Sequence, residues 1–278
     1  MKDIILKRKS IRTYRKEGLS DIDITKIHEL IKNIESMAGP FKNAIRLNYH
    51  ENQYIDDEKP KKIGTYGFVK NAKTFVSGKV NHSYLGLIDF GYLFEYFILK
   101  ATEINLGTVW LGGTFNRKSF NILLSPQEVI PAITPIGYIS NTQSFVDKVI
   151  RKSSKGDNRL SFDSLFFQEN FNTPLDYKNN GLCEALNLIR LAPSASNKQP
   201  WRFLIKDQML HVYIKRTPNY AKVLKYDIQA VDIGIALCHT VIAFNLSIET
   251  PEFLTAKPNI ETAFEYIASI KLPNHLLQ

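Results

Sequence analysis

One stretch of the sequence, residues 191–203, combines hydroxyl, amide and proline residues in a pattern typical of a ligand-binding loop. It reads Leu-Ala-Pro-Ser-Ala-Ser-Asn-Lys-Gln-Pro-Trp-Arg-Phe. A helical pattern ends at Pro193, because proline cannot continue a helix, and a strand-like run begins at Phe203. A loop held at both ends and rich in donors and acceptors suits a planar ligand with polar edges. The same residue types are common in ordinary connections, so the loop alone leaves both interpretations open.

A basic segment near the N-terminus is the second candidate. Residues 8–14 read Arg-Lys-Ser-Ile-Arg-Thr-Tyr, which places Arg8, Ser10 and Arg12 at alternate positions. Guanidinium groups pair with phosphate oxygens through charge-assisted, fork-like hydrogen bonds. Taken by itself, the segment could equally be an exposed basic arm.

Together, the two stretches resemble the flavin-dependent nitroreductase family. That family combines an Arg-x-Ser-x-Arg segment with a Pro-Ser-x-x-Asn-x-Gln-Pro-Trp loop, and residues 8–12 and 193–201 match every named position. The resemblance covers most of the chain. It implies an α+β, nitroreductase-like fold, in which helices wrap a mixed, mainly antiparallel sheet and two long central helices pack together. It also implies FMN as the cofactor and NADH or NADPH as the reductant.

The resemblance assigns FMN contacts to residues of this sequence. Arg8 and Arg12 would meet the phosphate or nearby oxygens, and Ser10 would meet a ribityl hydroxyl. A Gly-containing segment and the Pro-Ser loop would hold the ring, while Arg159 would add a phosphate contact. The family usually has a second basic residue two positions before that arginine, and Asp157 stands there instead. The predicted cofactor-binding residues are Arg8, Lys9, Ser10, Arg12, Leu111, Gly112, Gly113, Arg159, Pro193, Ser194, Ala195, Ser196 and Asn197. Substitutes for the missing basic residue are Arg151, Lys152 and Lys155.

The chemistry implied by the resemblance belongs to the flavin. Hydride would pass from NADH or NADPH to the flavin and then to a small acceptor, such as a nitroaromatic or quinone-like molecule. The protein supplies binding and orientation, so no side chain is predicted to be catalytic. The alternative is a flavin-binding or flavin-handling protein without substrate turnover. A third class is a basic nucleic-acid-binding module.

The two halves of the sequence show a weak internal similarity. A helix, turn and strand at 24–49 resembles that at 182–206, and Asp-Phe-Gly at 89–91 resembles Asp-Ile-Gly at 232–234. The Arg segment occurs only in the first half and the Pro-Ser loop only in the second. The resemblance therefore implies a fused pseudo-dimer that keeps one site and works as a monomer. We expect a single unit, 1–278, with a first half at 1–150 and a second half at 160–278.

Composition narrows the class of protein further. The chain has 278 residues, and its apolar runs are too short to cross a bilayer. The N-terminus lacks the apolar core of a secretory signal. Cys183 and Cys238 are far apart in sequence, which indicates a reducing environment rather than a disulfide framework. We therefore expect a cytoplasmic protein that acts on a small molecule and has no membrane partner.

The formal net charge of +9 raises the question of a nucleic-acid partner. The basic residues are dense only at 7–16 and 151–159, without interleaved stacking aromatics. No nucleic-acid partner is therefore expected. The six histidines show no metal-ligand spacing, so no metal is expected either. Trp110 and Trp201 are interpreted as core aromatics.

The periodicity of apolar residues and the positions of glycine and proline predict the helices and strands that would position these residues. Ile130–Ile139 reads as a strand that its prolines keep from being a simple central one. Gly107 is the expected left-handed cap of the helix at 85–106. Other strands are expected at 45–49, 74–80, 203–205 and 265–270, and a turn at 64–67. Helices are expected at 21–35, 85–106, 116–124, 182–191 and 223–245, with a linker at 151–160.

Overall fold

The computed structural model describes residues 1–51, 69–113, 115, 120, 122–141, 158–178, 180–218, 220, 224 and 226–277. The predicted turn at 64–67, most of the helix at 116–124 and most of the linker at 151–160 lie outside these residues. The helices are α1 Lys2–Lys7, α2 Asp21–Glu35, α3 Tyr84–Glu103, α4 Gly181–Arg190 and α5 Ile228–Ala243. The strands are β1 Arg46–Glu51, β2 Thr74–Asn81, β3 Leu106–Thr108, β4 Glu128–Tyr138, β5 Phe166–Gln168, β6 Asn170–Pro174, β7 Trp201–Lys206, β8 Met209–Ile214 and β9 Glu265–Lys271.

The described strands form two sheets. The first has the order β1-β2-β4-β3 and is antiparallel throughout. The second has the order β6-β5-β7-β8-β9, and its only parallel pair among the described strands is β5 with β7. The expected α+β fold with mixed, mainly antiparallel strands is therefore confirmed, with its strands divided between two sheets.

Helices α3 and α5 form the centre of the molecule. All sixteen residues of α5 and fourteen of the twenty residues of α3 are buried, which explains why both sequences are largely apolar. They cross where glycine lets the two backbones touch. A Cβ built on Gly234 would lie 1.9 Å from the carbonyl oxygen of Ile88, and one on Gly91 would lie 2.1 Å from that of Val231. The expected packing of two long central helices is thus confirmed.

Polar side chains determine where the helices begin. Ser20 is the N-cap of α2, and its side chain accepts a hydrogen bond from the backbone N–H of Asp23. Asn180 caps α4 in the same way. Helix α5 begins five residues later than the apolar pattern predicts, because the carboxylate of Asp227 caps it by accepting from the N–H groups of Gln229 and Ala230.

Two details of the sequence-based prediction are wrong. Gly107 does not cap α3. It lies within β3, and the left-handed residue after the helix is Asn105, with a φ of 62°. Strand β4 is central, since it pairs with both β2 and β3. Its prolines are tolerated because Pro131 lies in a register shift opposite β2 and Pro135 lies one residue beyond the last pair with β3.

The two halves share an element order of helix, strand, strand, helix and strand. In the second half this is α4, β7, β8, α5 and β9, and in the first it is α2, β1, β2, α3 and β4, with the short strand β3 inserted between α3 and β4. Each central helix also places an aspartate against the loop that follows the preceding helix. Asp89 accepts from the N–H of Phe41, and Asp232 accepts from the N–H of Ala195. The limits of the halves at 150 and 160 stay a prediction.

Candidate functional site

A cavity of about 460 Å³ lies where the N-terminal segment, the end of β3, the Pro-Ser loop and α5 meet. All predicted site residues except Lys9 and Leu111 are among its described lining residues. The predicted residues that line it are Arg8, Ser10, Arg12, Gly112, Gly113, Arg159, Pro193, Ser194, Ala195, Ser196 and Asn197. The further lining residues are Val109, Trp110, Pro131, Ala132, Tyr220, Leu224, Ile228, Val231, Asp232 and Ile235. The fold thus brings together two motifs that are far apart in sequence.

The N-terminal segment is anchored to the fold and is not an exposed arm. The backbone N–H of Ile11 donates to the carbonyl of Thr108 at 2.8 Å, which fixes the segment beside β3. Tyr14 is buried, and its hydroxyl donates to the carbonyl of Ile11 at 2.7 Å. These contacts present Ser10 and Arg12 to the cavity.

Lys9 and Leu111 have other surroundings. Lys9 is exposed to solvent, since it alternates with the inward-facing members of the segment. Leu111 is buried in a small apolar cluster that includes Phe75 and Ile133, and its backbone N–H donates to the carbonyl of Ile133. The structure therefore gives neither side chain a place in the described cavity lining.

The Pro-Ser loop has an unusual backbone. Ser196, Asn197 and Gln199 have φ values of 49°, 54° and 48°, in the left-handed region that non-glycine residues seldom adopt. Hydrogen bonds hold this conformation. The hydroxyl of Ser194 accepts from the N–H of Gln199 at 2.9 Å, and the side chain of Asn197 donates to the carbonyl of Asn158 at 2.7 Å. Such a strained and well-tethered loop is common at binding sites.

Arg159 lies against this loop. Its Nη1 donates to Oδ1 of Asn197 at 3.3 Å, and its Nη2 donates to the carbonyl of Leu191 at 3.0 Å. The predicted phosphate contact and the predicted loop amide are therefore neighbours. Asp157 and the proposed substitutes at 151, 152 and 155 lie outside the described residues.

The Gly112-Gly113 turn is held from the second half of the chain. The hydroxyl of Tyr226 lies 2.8 Å from the carbonyl of Gly112 and 2.6 Å from that of Pro131, and donates toward both. A Cβ on Gly112 would lie 2.8 Å from Cδ1 of Ile228, and one on Gly113 would lie 3.3 Å from Cδ2 of Leu224. Because neither glycine has a side chain, the backbone itself forms this wall of the cavity.

Three polar lining residues were missed by sequence reasoning. Trp201 is a core aromatic as predicted, but Trp110 is half-buried and lines the cavity. Tyr220 also lines it and donates from its hydroxyl to Oγ of Ser196 at 2.9 Å. Asp232 is the third. Two of these residues could have been found from the sequence. Trp110 lies just before the Gly-Gly turn, and Asp232 stands in a sequence context similar to that of Asp89. Tyr220 belongs to no recognisable motif.

A buried polar cluster supports one side of the cavity. Glu95 is fully buried on α3, accepts from Nε1 of Trp110 at 2.7 Å, and lies 3.9 Å from Nε of Arg8. His239 on α5 lies 3.0 Å from the same carboxyl group through Nε2. Its Nδ1 lies 3.1 Å from the carbonyl of Leu188. Glu95 therefore links two lining residues to both central helices.

The carboxyl group of Asp232 has an unusual environment. Its pKa is raised to about 8, mainly by burial and further by the negative charge of Asp227, while the hydrogen bond from the N–H of Ala195 acts in the opposite direction. Its Oδ1 accepts that hydrogen bond at 2.8 Å. Its Oδ2 is buried and has no hydrogen-bond partner among the described residues. A carboxyl group in this environment is largely protonated at neutral pH.

Comparison with known proteins agrees with this arrangement. Residues 1–244 match the sequence model of a family described as "Putative TM nitroreductase". The chain belongs to this nitroreductase family. Its fold is similar to that of a "putative nitroreductase" from Thermotoga maritima, with a TM-score of 0.56, 19% sequence identity, and coverage of 98% of this chain and 93% of that one. The predicted family and fold are therefore confirmed.

Two shorter proteins of known structure resemble part of the chain. A "Putative NADH Oxidase" from Clostridium acetobutylicum matches with a TM-score of 0.41 and 21% identity, over 51% of this chain and 90% of its own. An "oxidoreductase containing FMN" matches with a TM-score of 0.43 and 13% identity, over 52% and 82%. No curated protein sequence matches the chain at a significant level.

The described residues contain neither a membrane-spanning helix nor a metal-binding cluster. None of the described helices combines the length and apolarity needed to cross a bilayer. Within the same residues, no three His, Cys, Asp or Glu side chains converge in a way that could hold a metal ion.

Proposed function

We propose that this nitroreductase-family protein is an FMN-dependent oxidoreductase that uses NADH or NADPH and acts on a small acceptor. The observation that carries the proposal is the cavity of about 460 Å³, whose lining combines the Arg-x-Ser-x-Arg segment with the Pro-Ser-x-x-Asn loop. When bound, FMN would supply the chemistry by taking hydride from the nicotinamide and passing it to the acceptor. A nitroaromatic or quinone-like molecule is the proposed class of acceptor.

The basic groups of the cavity fit a phosphate. Arg8, Arg12 and Arg159 all line it and come from segments that are separate in sequence. Arg8 has a side chain only 8% exposed, and its Nε is buried without a hydrogen-bond partner among the described residues. A buried guanidinium N–H normally has an acceptor, so a ligand oxygen is a suitable partner.

The remaining lining fits a flat ring with a polar edge. Gly112 and Gly113 bring backbone close to the cavity, and Ile228, Val231 and Ile235 give it an apolar wall. The Pro-Ser loop adds hydroxyl and amide groups to the lining. This mixture of apolar walls and a few fixed polar groups is typical of cofactor sites.

The protein's own task in this proposal is to bind and orient. The loop is fixed by its hydrogen bonds to Asn158, Arg159 and Asp232, and the Gly-Gly turn by Tyr226. No side chain is proposed as an obligate acid or base. The monomeric state, the single site per chain and the cytoplasmic location remain proposals that rest on the resemblance and the residue pattern.

The proposal is tested by titrating FMN into the protein. We expect Arg12→Ala and Asn197→Ala each to weaken FMN binding by about tenfold or more, since each removes a polar contact from a buried site. Arg15→Ala and Lys198→Ala are matched controls, because both side chains are exposed neighbours outside the described lining. Unchanged affinity in Asn197→Ala would contradict the shared site.

Turnover separates the proposal from its alternative. A flavin-binding or flavin-handling protein would bind FMN but would not pass electrons from NADH or NADPH to an added quinone or nitroaromatic. Steady oxidation of the nicotinamide that depends on the acceptor supports the oxidoreductase.

A further inference from the structure

Asp232 is the only carboxyl-bearing residue among the described lining residues of the cavity. It lies on α5, is 2% exposed, and shares the cavity with Arg8, Arg12 and Arg159. An acidic residue is unexpected in a site that suits a phosphate-bearing ligand, since its charge would repel an anion.

The corresponding residue of the first half shows what is special about Asp232. Asp89 occupies the same place on α3, and both of its oxygens are used. Oδ1 accepts from the N–H of Phe41 at 2.9 Å, and Oδ2 accepts from the backbone and side-chain N–H groups of Asn43, each at 2.8 Å. Among the described residues, Asp232 accepts one hydrogen bond, from the N–H of Ala195 to Oδ1 at 2.8 Å.

The second carboxyl oxygen of Asp232 therefore differs from that of Asp89. Oδ2 is buried and has no hydrogen-bond partner among the described residues. Where Asn43 fills the space beside Asp89, the second half has the cavity beside Asp232. A buried polar atom of this kind is costly unless a ligand or water satisfies it, so it marks a contact that the folded chain does not supply.

The charged and titratable groups around Asp232 are of both signs. Asp227 raises its pKa from the start of the same helix, and burial raises it more, to about 8. Tyr220 also lines the cavity, and its pKa is raised mainly by burial and further by the charge of Asp232. Arg8, Arg12 and Arg159 line the cavity from other elements. At neutral pH the group is thus mostly a carboxylic acid, whose O–H is a donor.

We propose that Asp232 contacts the ligand of the cavity as a neutral carboxylic acid, donating a hydrogen bond from Oδ2 to an acceptor atom on the ligand's polar edge. The acceptor is a carbonyl oxygen or an unprotonated ring nitrogen, both of which the flavin ring of FMN presents. The inference rests on the proposed function, because FMN is the ligand it concerns. Asp232 at the same time positions the Pro-Ser loop through Ala195.

A definite pH dependence follows. If only the protonated form binds, the apparent dissociation constant equals the intrinsic one divided by the protonated fraction. Binding is then constant well below pH 8 and weakens above it, by about tenfold at one pH unit above the pKa. The window from pH 7 to 9 also lies above the second ionisation of a phosphate, which is near 6.

The test is the dissociation constant of FMN measured from pH 6.5 to 9 for the wild type and for Asp232→Asn. The amide can still accept from the N–H of Ala195 and still donate into the cavity. We therefore expect affinity within about threefold of the wild type at pH 6.5, and no weakening up to pH 9. The control should keep the wild-type slope. It is Asp207→Asn, which changes an exposed turn residue with a φ of 50°, a value that asparagine adopts readily.

The outcomes separate the two proposals. A wild type that binds no FMN at pH 6.5 would overturn the proposed function together with the inference. A wild type that binds FMN without a pH slope, or an Asp232→Asn variant that keeps the slope, would overturn the inference alone. If the variant does not fold, infrared difference spectra of the wild type decide: FMN should shift the C=O band of a protonated carboxyl group, and an unshifted spectrum would overturn the inference.

Discussion

Gly91 of α3 and Gly234 of α5 lie at the crossing of the two central helices, each against the backbone of the other helix. A Cβ at Gly234 would lie 1.9 Å from the carbonyl oxygen of Ile88, and one at Gly91 would lie 2.1 Å from that of Val231. These distances are shorter than any van der Waals contact, and the atoms that would have to move belong to buried backbone. The crossing therefore admits only glycine at these two positions.

Gly234→Ala should destabilise the protein by about 3 kcal/mol, because the added methyl group would force the central helices apart. The free energy of unfolding in urea measures the effect. Gly18→Ala is the control, since a Cβ there meets nothing within 4 Å. That variant should stay within about 1 kcal/mol of the wild type. Equal stability of the two variants would mean that the helices do not cross as described.

Glu95→Ala should destabilise the protein by about 3–5 kcal/mol, because it leaves Arg8 and His239 buried without their carboxyl partner. It should also shift the fluorescence of Trp110, whose Nε1 donates to Glu95. Glu103→Ala on the same helix removes only an exposed pair with Lys100 and should change stability by less than about 1 kcal/mol. An unchanged emission spectrum in Glu95→Ala would argue against the hydrogen bond to Trp110.

Asp232 should make the stability of the ligand-free protein depend on pH. Its pKa is about 8 in the folded state and 3.8 ordinarily, so between these values the folded state holds a proton that the unfolded chain has lost. Its contribution therefore becomes less favourable as pH rises through this window, by up to about 1.4 kcal/mol per pH unit.

Asp232→Asn removes this dependence, so its advantage over the wild type in urea unfolding should grow from pH 5 to pH 8. Asp207→Asn should show no such trend, because Asp207 is exposed. A constant difference between Asp232→Asn and the wild type over this range would show that the carboxyl group is ionised in the folded state.

Tyr226→Phe should loosen the Gly-Gly turn without opening a large hole. The variant loses the hydroxyl that donates toward the carbonyls of Gly112 and Pro131. We expect a loss of about 1–2 kcal/mol in unfolding free energy, together with several-fold weaker FMN binding. Tyr177→Phe, an exposed tyrosine outside the described lining, is the control for losing a hydroxyl. If Tyr226→Phe bound FMN as tightly as the wild type, the Gly-Gly turn would not contribute to FMN binding.

The two motifs could be found in the sequence because each carries its chemistry in a short continuous segment. Residues 8–12 and 193–197 were predicted to meet, and both line one cavity. The long central helices were also predictable, since their apolar pattern is continuous. The strand at 130–139 was misjudged, because a missing proline N–H matters only where a partner strand faces it, and the register decides that.

The rest of the cavity depends on distances that the sequence does not contain. Asp89 and Asp232 stand in similar sequence contexts, and their echo is visible in the chain. Only the folded structure shows that Asn43 completes the hydrogen bonds of Asp89, whereas Asp232 faces a cavity. Tyr220 lies in a segment without a motif, so its contact with Ser196 was equally beyond prediction.

The most direct test of the central claim is the visible absorption spectrum of the protein with FMN added, recorded before and after anaerobic addition of NADH or NADPH. We predict a bound-flavin spectrum that bleaches on reduction and returns when an acceptor is added. A protein that takes up no FMN would contradict the claim that the Arg segment and the Pro-Ser loop form a flavin site. Bound flavin that neither nicotinamide bleaches would contradict the proposed oxidoreductase and leave a flavin-binding protein.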